Sequence, residues 1–205
     1  MSGCLITLEG TEGAGKSSAV PIIREMLEQA GQSVVVTREP GGTPLAEAIR
    51  GVLLADHGES MPAMSELLLM FAARASHLRD CIEPALAAGA WVICDRFTDA
   101  SYAYQGAARG LGAEAVATLE RLVQGERRPD RVLWFDLPVE VGIGRVNGRG
   151  VSNRFDREQQ AFHEQVRQAY AARAEADPDR YRRVDATAPS DAVAEQVRQL
   201  IGAML

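Results

Sequence analysis

Residues 10 to 17 read Gly-Thr-Glu-Gly-Ala-Gly-Lys-Ser, and they constrain the fold more than any other stretch of the chain. They fit the spacing Gly-x-x-x-x-Gly-Lys-[Ser/Thr] without a mismatch, directly after the apolar run Leu5–Glu9 and directly before a helical pattern. Gly10, Gly13 and Gly15 let successive backbone N–H groups turn toward one centre at the positive end of the following helix, which makes a nest for an anion. Lys16 is placed to reach the outer phosphate oxygens of a nucleoside triphosphate, and the Ser17 hydroxyl to complete a Mg2+ shell. The expected ATP contacts are therefore Gly10, Thr11, Glu12, Gly13, Ala14, Gly15, Lys16, Ser17 and Ser18.

Apolar strands and helical patterns alternate along the rest of the chain, the signature of βαβ units around a parallel sheet. Strands are expected at 4–9, 33–37, 91–95, 132–136 and 181–185, most of them short near-continuous apolar runs of the kind covered on both faces. Helices are expected at 17–30, 44–55, 63–88, 113–124, 139–148, 157–176 and 190–203, with Gly31 and Gly89 where C-caps belong. The fold class is thus α/β, a three-layer P-loop NTPase fold with a five-stranded parallel sheet flanked by helices. Residues 1–205 read as one domain, without a linker or internal repeat. Pro21 falls inside the first helix, where a local irregularity is expected. The run Leu67, Leu68, Leu69, Met70, Phe71 reads as core on composition.

The chain carries 22 Lys+Arg against 28 Asp+Glu, a formal net charge of −6, which argues against a general nucleic-acid or anionic-membrane binder. No apolar run approaches the ~18 residues of a membrane span, and the stretch from Met1 to Gly10 lacks a basic start and contains Glu9, so no secretory leader is expected. Cys4, Cys81 and Cys94 are odd in number and sit in apolar runs, which favours buried reduced thiols in a cytoplasmic protein over disulfides or metal. His57, His77 and His163 are isolated in the sequence and suggest no metal site.

The apolar strand Trp91–Asp95 ends in an acid, which at a strand's carboxyl end faces the ligand crevice of an open α/β sheet. Asp95 is thereby a candidate for Mg2+, directly or through water, and the adjacent Arg96 for a second phosphate. Against the acidic background, residues 145–157 hold Arg145, Arg149, Arg154 and Arg157 with one acid, Asp156. Gly148, Gly150 and Ser152 lie among them, flexible backbone suited to a short arginine-rich lid whose guanidinium groups close on a transferring phosphoryl group. The two asparagines, Asn147 and Asn153, build no Asn-Lys-x-Asp guanine reader, and no Thr-Lys pair exists, so a GTPase is disfavoured. A small-molecule kinase is the favoured class at this length. An ATP-driven switch without an acceptor remains as the alternative from another class, but it leaves the clustered arginines without a shared purpose.

Four segments resemble a known family in order and spacing: residues 10–17, Thr37-Arg38-Glu39-Pro40-Gly41-Gly42-Thr43, Asp95-Arg96-Phe97 and Ala103-Tyr104-Gln105-Gly106. The resemblance is to bacterial thymidylate kinases and runs from about Leu5 to Thr187. It implies transfer of the ATP γ-phosphoryl group to dTMP, giving dTDP and ADP in dTTP formation, with Mg2+, in a cytoplasmic homodimer. Another small P-loop nucleotide or nucleoside kinase is the alternative.

The resemblance also implies roles. Arg50 and Arg96 match arginines that hold the dTMP phosphate, Glu39 and Pro40 match substrate-binding positions, and Glu12 matches the acidic loop position near the nucleotide sugar and phosphoryl region. Arg74 matches the reader of the thymine carbonyl, Ser101 and Gln105 polar positions about the base, and Tyr104 the tyrosine beneath the sugar. Either Phe71, by ring chemistry, or Met70, by alignment, stacks on the base. Asp185 matches the segment beside the ATP adenine. Because the loop carries Glu12 where other subtypes have arginine, the resemblance places the catalytic arginine in the lid, Arg149 first and Arg154 second, beside Lys16, Glu12 and Arg96.

Overall fold

The computed structural model of the chain describes residues 3–147, 155 and 158–205. Five parallel strands, β1 (Leu5–Glu9), β2 (Val34–Arg38), β3 (Trp91–Asp95), β4 (Arg131–Asp136) and β5 (Tyr181–Asp185), form one sheet in the order β2-β3-β1-β4-β5. Each begins and ends within a residue of its expected bounds. A pleated strand shows alternate residues to opposite faces, and both faces here are apolar. Ile6, Leu8, Ile93, Leu133, Phe135 and Val184 meet α1 (Lys16–Gln29) and α9 (Ser190–Gly202) in one buried cluster. On the other face Val92 and Cys94 pack with Leu78, Ile82 and Leu86, while Val132, Trp134 and Tyr181 pack with Phe162, Val166 and Tyr170 of α8 (Gln160–Ala176). Truncating one of these fully buried side chains to alanine costs about 2–5 kcal/mol.

Helix α2 (Pro44–Leu54) starts at an N-cap, Thr43, whose hydroxyl accepts from Ala46 N–H, followed by Pro44 at the first helical position. The expected helix over 63–88 forms as α3 (Ala63–His77), a wide π-type turn at Leu78–Ile82 and α4 (Glu83–Ala87). Helix α1 runs unbroken past Pro21, which only lacks an N–H for the carbonyl of Ser17. α6 (Ala113–Gln124) and α7 (Val139–Asn147) complete the expected set. The sequence pattern assigns no helix to 98–108, yet α5 (Thr98–Ser101) continues there into a second π-type turn, Tyr102–Ala108. Its polar residues hid it: Thr98, Asp99, Ser101 and Gln105 are buried, and no apolar stripe marks the segment. Within the Leu67-to-Phe71 run Leu67 is buried, but Leu68 is 51 % exposed, so that run is only partly core. Among the described residues no helix is long and apolar enough to cross a membrane.

The chain leaves β1 toward β2, returns to β3 and then crosses to β4 on the far side of β1. That reversal opens a crevice at the carboxyl ends of the central strands, where Leu8 of β1 pairs with Asp95 of β3.

Candidate active site

The loop after β1 fits only because it is glycine. Gly10 and Gly13 hold φ of 141° and 77°, and a Cβ on them would lie 2.5 Å from the Phe135 carbonyl and 2.6 Å from that of Gly142. Lys16, the only lysine of the chain, is folded back over the loop and donates to the carbonyls of Gly10 (3.1 Å) and Thr11 (3.0 Å). Burial, then the nearby Arg96 cation, lowers its pKa from the ordinary lysine range. Lys16, Ser17, Ser18 and the loop share a cavity with Arg38, Glu39, Arg50, Asp95 and Arg96. Asp95 Oδ1 is buried there without a hydrogen-bond partner, and the Ser17 hydroxyl lines the same cavity. An acid oxygen and a hydroxyl of this kind fit a hard divalent cation.

Beside this cavity lies a second cleft with a mixed polar and apolar lining. Glu12, Glu39, Arg50 and Arg96 line both, so the two spaces meet at a wall of paired charge. Arg96 follows Asp95 in the left-handed conformation, φ 69°. It donates to Glu12 (2.7 Å) and to the Tyr170 hydroxyl (3.3 Å), and its guanidinium stands 4.8 Å from the centre of the Tyr104 ring. The Arg96 cation outweighs the effect of burial and holds Glu12 down to about 2. Arg50 is tied to the Pro40 carbonyl (2.9 Å), which places a cation over the turn formed by the cis Glu39–Pro40 bond.

Arg74 lines the second cleft but not the loop cavity, and is 2 % exposed. Its Nε donates to Glu39 (2.7 Å) and one terminal nitrogen to Ser101 (3.0 Å), while the other, Nη1, is buried with no partner. Glu39 is itself fixed by His77 Nδ1 (3.0 Å), and His77 Nε2 lies 2.6 Å from the Thr37 hydroxyl. Ser101, Tyr104, Gln105, Phe97, Met70 and Phe155 supply the remaining walls, and the Tyr104 hydroxyl is buried without a partner.

Phe71 is not among these walls. It packs with Leu67 and Val116, and its ring centre lies 4.5 Å from the Arg74 guanidinium, which it supports from behind. Of the two stackers considered, Met70 is the one in the cleft, because it shares the i, i+4 row of the helix with Arg74. The Asp185 carboxylate accepts from Thr187 N–H (3.0 Å) and hydroxyl (2.6 Å) within its own turn, immediately before Ala186. The third cavity, beside the loop, is lined by Ala186, Ala188, Ser190 and Arg145 with α1 and α9, and Arg145 is held to the carbonyls of Gly13 and Ala186, each at 3.2 Å. Arg149 and Arg154 lie outside the described residues.

The sequence reading missed His77, Glu66, Arg109, Glu9 and Tyr170. Their partners are distant in the chain, as with Tyr170 donating to Glu9 across 161 positions (2.7 Å). Helical spacing was the one available signal, since Ser101 and Gln105 stand at i, i+4 on a common face.

A phosphate loop at the switch point of a parallel sheet, meeting a second cleft walled by arginines, defines a P-loop enzyme that brings two anionic ligands together, the layout of a nucleotide kinase. The chain belongs to the thymidylate kinase family, whose profile matches residues 8–197. It is 58 % identical over 201 residues to the thymidylate kinase of Pseudomonas putida (strain GB-1), covering 98 % of this chain and 96 % of that one. The thymidylate kinase of Pseudomonas entomophila (strain L48) is 58 % identical over 205 residues, covering 100 % and 98 %. That of Alcanivorax borkumensis is 53 % identical over 204 residues, again covering 100 % and 98 %.

Proposed function

We propose that the chain transfers the γ-phosphoryl group of ATP to dTMP, giving dTDP and ADP. The observation that carries this reading is the buried, unpartnered Nη1 of Arg74 in a cleft that also holds Arg50 and Arg96, these two on the wall shared with the phosphate-loop cavity. The Arg74 donor suits a base carbonyl, which needs one. Arg50 and Arg96 suit a phosphate dianion, which guanidinium forks bind through paired oxygens.

In this mechanism the loop N–H groups and Lys16 bind the β- and γ-phosphates of ATP, with the adenine in the cavity beside Arg145, Ala186 and Ala188. Ser17 and Asp95 would hold Mg2+, directly or through water, and the ion would supply charge neutralisation to the phosphoryl group in transfer. Arg50 and Arg96 orient the dTMP phosphate for in-line attack, and Glu39 and Pro40 shape the turn that carries Arg50. Glu12 fixes Arg96 at the wall between the clefts. Tyr104 lies under the sugar, Met70 against the base, and Ser101 and Gln105 read its edge. Arg149, then Arg154, close from the lid onto the moving phosphoryl group as arginine fingers in cis.

A homodimer is part of this reading. It is supported by the exposed apolar residues Leu45 and Val52 on α2 and Met64 and Leu68 on the adjoining α3. Leu68→Glu should convert dimer to monomer in sedimentation, and an unchanged mass would remove that surface from the reading. The three unpaired cysteines suit a cytoplasmic setting. The deciding experiment is ADP release with ATP and Mg2+ against a panel of nucleoside monophosphates. The highest kcat/KM should fall to dTMP, and a higher value for dCMP, dGMP or the nucleoside thymidine would overturn the assignment.

A further inference from the structure

Gln105 is 1 % exposed and lines the acceptor cleft, while Glu66, fully buried, stands behind it outside the cleft lining. The Gln105 Nε2 donates to Glu66 Oε1 at 2.7 Å. A side-chain amide can be turned either way by density or chemistry alone, but a carboxylate has no hydrogen to give and accepts only. The nitrogen end of Gln105 is therefore committed to Glu66, and the carbonyl oxygen is the end left for a ligand. Arg109 offsets the buried charge: it lies 3.4 Å from Glu66 and donates to Glu158 at 2.6 Å.

Arg74, which lines the same cleft, has its Nη1 buried without a partner, a donor that cannot become an acceptor. Ser101 links the two, because it accepts from Arg74 (3.0 Å) and lies one helical turn before Gln105. The cleft thus offers a donor and an acceptor on neighbouring positions. A thymine or uracil edge answers with a carbonyl at C4 and an N–H at N3. Cytosine carries an amino group and a bare nitrogen at those places, so donor would meet donor and acceptor would meet acceptor.

We infer that Glu66 is the residue that sets base choice, as a positioning residue acting through Gln105: it locks the amide with its oxygen toward the ligand, so that the imide of thymine is accepted and cytosine is refused. This rests on the reading of the cleft as the monophosphate site. Sites built from buried hydrogen-bonding groups discriminate strongly because the wrong ligand leaves those groups unpaired.

The test is Glu66→Gln. Its amide can donate to the Gln105 oxygen as readily as accept from its nitrogen, so the lock is lost while size and shape are kept. Steady-state kinetics with dTMP, dUMP and dCMP should show kcat/KM for dTMP falling about tenfold, mainly through KM, and the preference for dTMP over dCMP falling by at least about tenfold. The preference for dTMP over dUMP should stay unchanged, since both carry the imide. Gln105→Met removes both ends of the amide without touching Glu66 and should lower the same preference. Adding Glu66→Gln to it should then change base choice no further. A uniform loss on all three monophosphates, an unchanged dTMP-to-dCMP ratio in either variant, or a further loss of preference in the double variant would overturn the inference. A wild-type enzyme that prefers dCMP or ignores dTMP would instead overturn the proposed function, which keeps the two failures apart.

Discussion

Glu9 ends β1 beneath the phosphate loop and is fully buried, with the Phe97 N–H (2.7 Å) and the Tyr170 hydroxyl (2.7 Å) both directed at its carboxylate. Burial, with the nearby Asp99 carboxylate adding to it, raises its pKa to about 7, against the pull of Tyr170 and Arg96. The folded state therefore binds a proton that the unfolded chain has already released above about pH 4.5. Its contribution is present at acid pH and is lost as pH rises toward 7. Each pH unit between the two values removes about 1.4 kcal/mol, and the whole interval about 3 kcal/mol. Glu9→Gln keeps an acceptor for Phe97 and carries no charge, so this slope should vanish. Urea unfolding at half-unit intervals from pH 5 to 8 measures it: the wild-type curve should lie about 2 kcal/mol above its pH 8 value at pH 5, relative to the variant. Parallel curves for the two proteins would refute the argument. Because Tyr170 also accepts from Arg96 at 3.3 Å, the same titration should be visible in the dTMP KM of the wild type and absent in Glu9→Gln.

Three further outcomes are expected. Arg74→Ala leaves Glu39 with a buried, half-partnered charge and should cost about 3 kcal/mol of stability, read by thermal unfolding, while raising the KM for dTMP far more than it lowers kcat. Arg149→Ala should lower kcat by roughly a thousandfold with a modest change in dTMP KM in steady-state assays, because a finger acts in the transition state; equal loss through KM alone would remove that role. Lys16 is the only side-chain amine, so acylation followed by peptide mass analysis should show inactivation tracking modification at this one residue, slowed by ATP and unaffected by dTMP.

The central strands β1, β3 and β4 were legible because parallel strands buried on both faces are written as short apolar runs, and the loop because backbone comes within 2.6 Å of where a Cβ on Gly10 or Gly13 would lie. The helix at 98–108 was not, for the opposite reason. Several of its buried residues are polar and bonded to partners far away in the chain: Asp99 to Arg173, 74 positions on, and Gln105 to Glu66, 39 positions back. Hydrophobic periodicity cannot register a segment whose inward face is hydrogen-bonded. Phe71 and Met70 show a finer limit. Both sit in the right turn of α3 beside Arg74, and one residue of helical phase decides which enters the cleft and which enters the core.

Several site groups of a chain of net charge −6 are each held by an acid of their own. Arg74 has Glu39, Arg96 has Glu12, and even the neutral reader Gln105 has Glu66. Ion pairs of this kind add little net stability over apolar packing, so stability is a poor reason for two of them, with a third carboxylate behind an amide, around one cleft. Each fixes a group that would otherwise sample several rotamers. Arg74 illustrates the effect: Nε and one terminal nitrogen are taken by Glu39 and Ser101, which leaves Nη1 as a donor with no remaining freedom of direction. A lysine offers one nitrogen at the end of a flexible chain and cannot hold two protein partners in that planar geometry while facing a ligand. Arg74→Lys should therefore keep the positive charge and still lose most of the dTMP recognition that Arg74→Ala loses, and recovery of wild-type KM by the lysine variant would show that charge alone suffices.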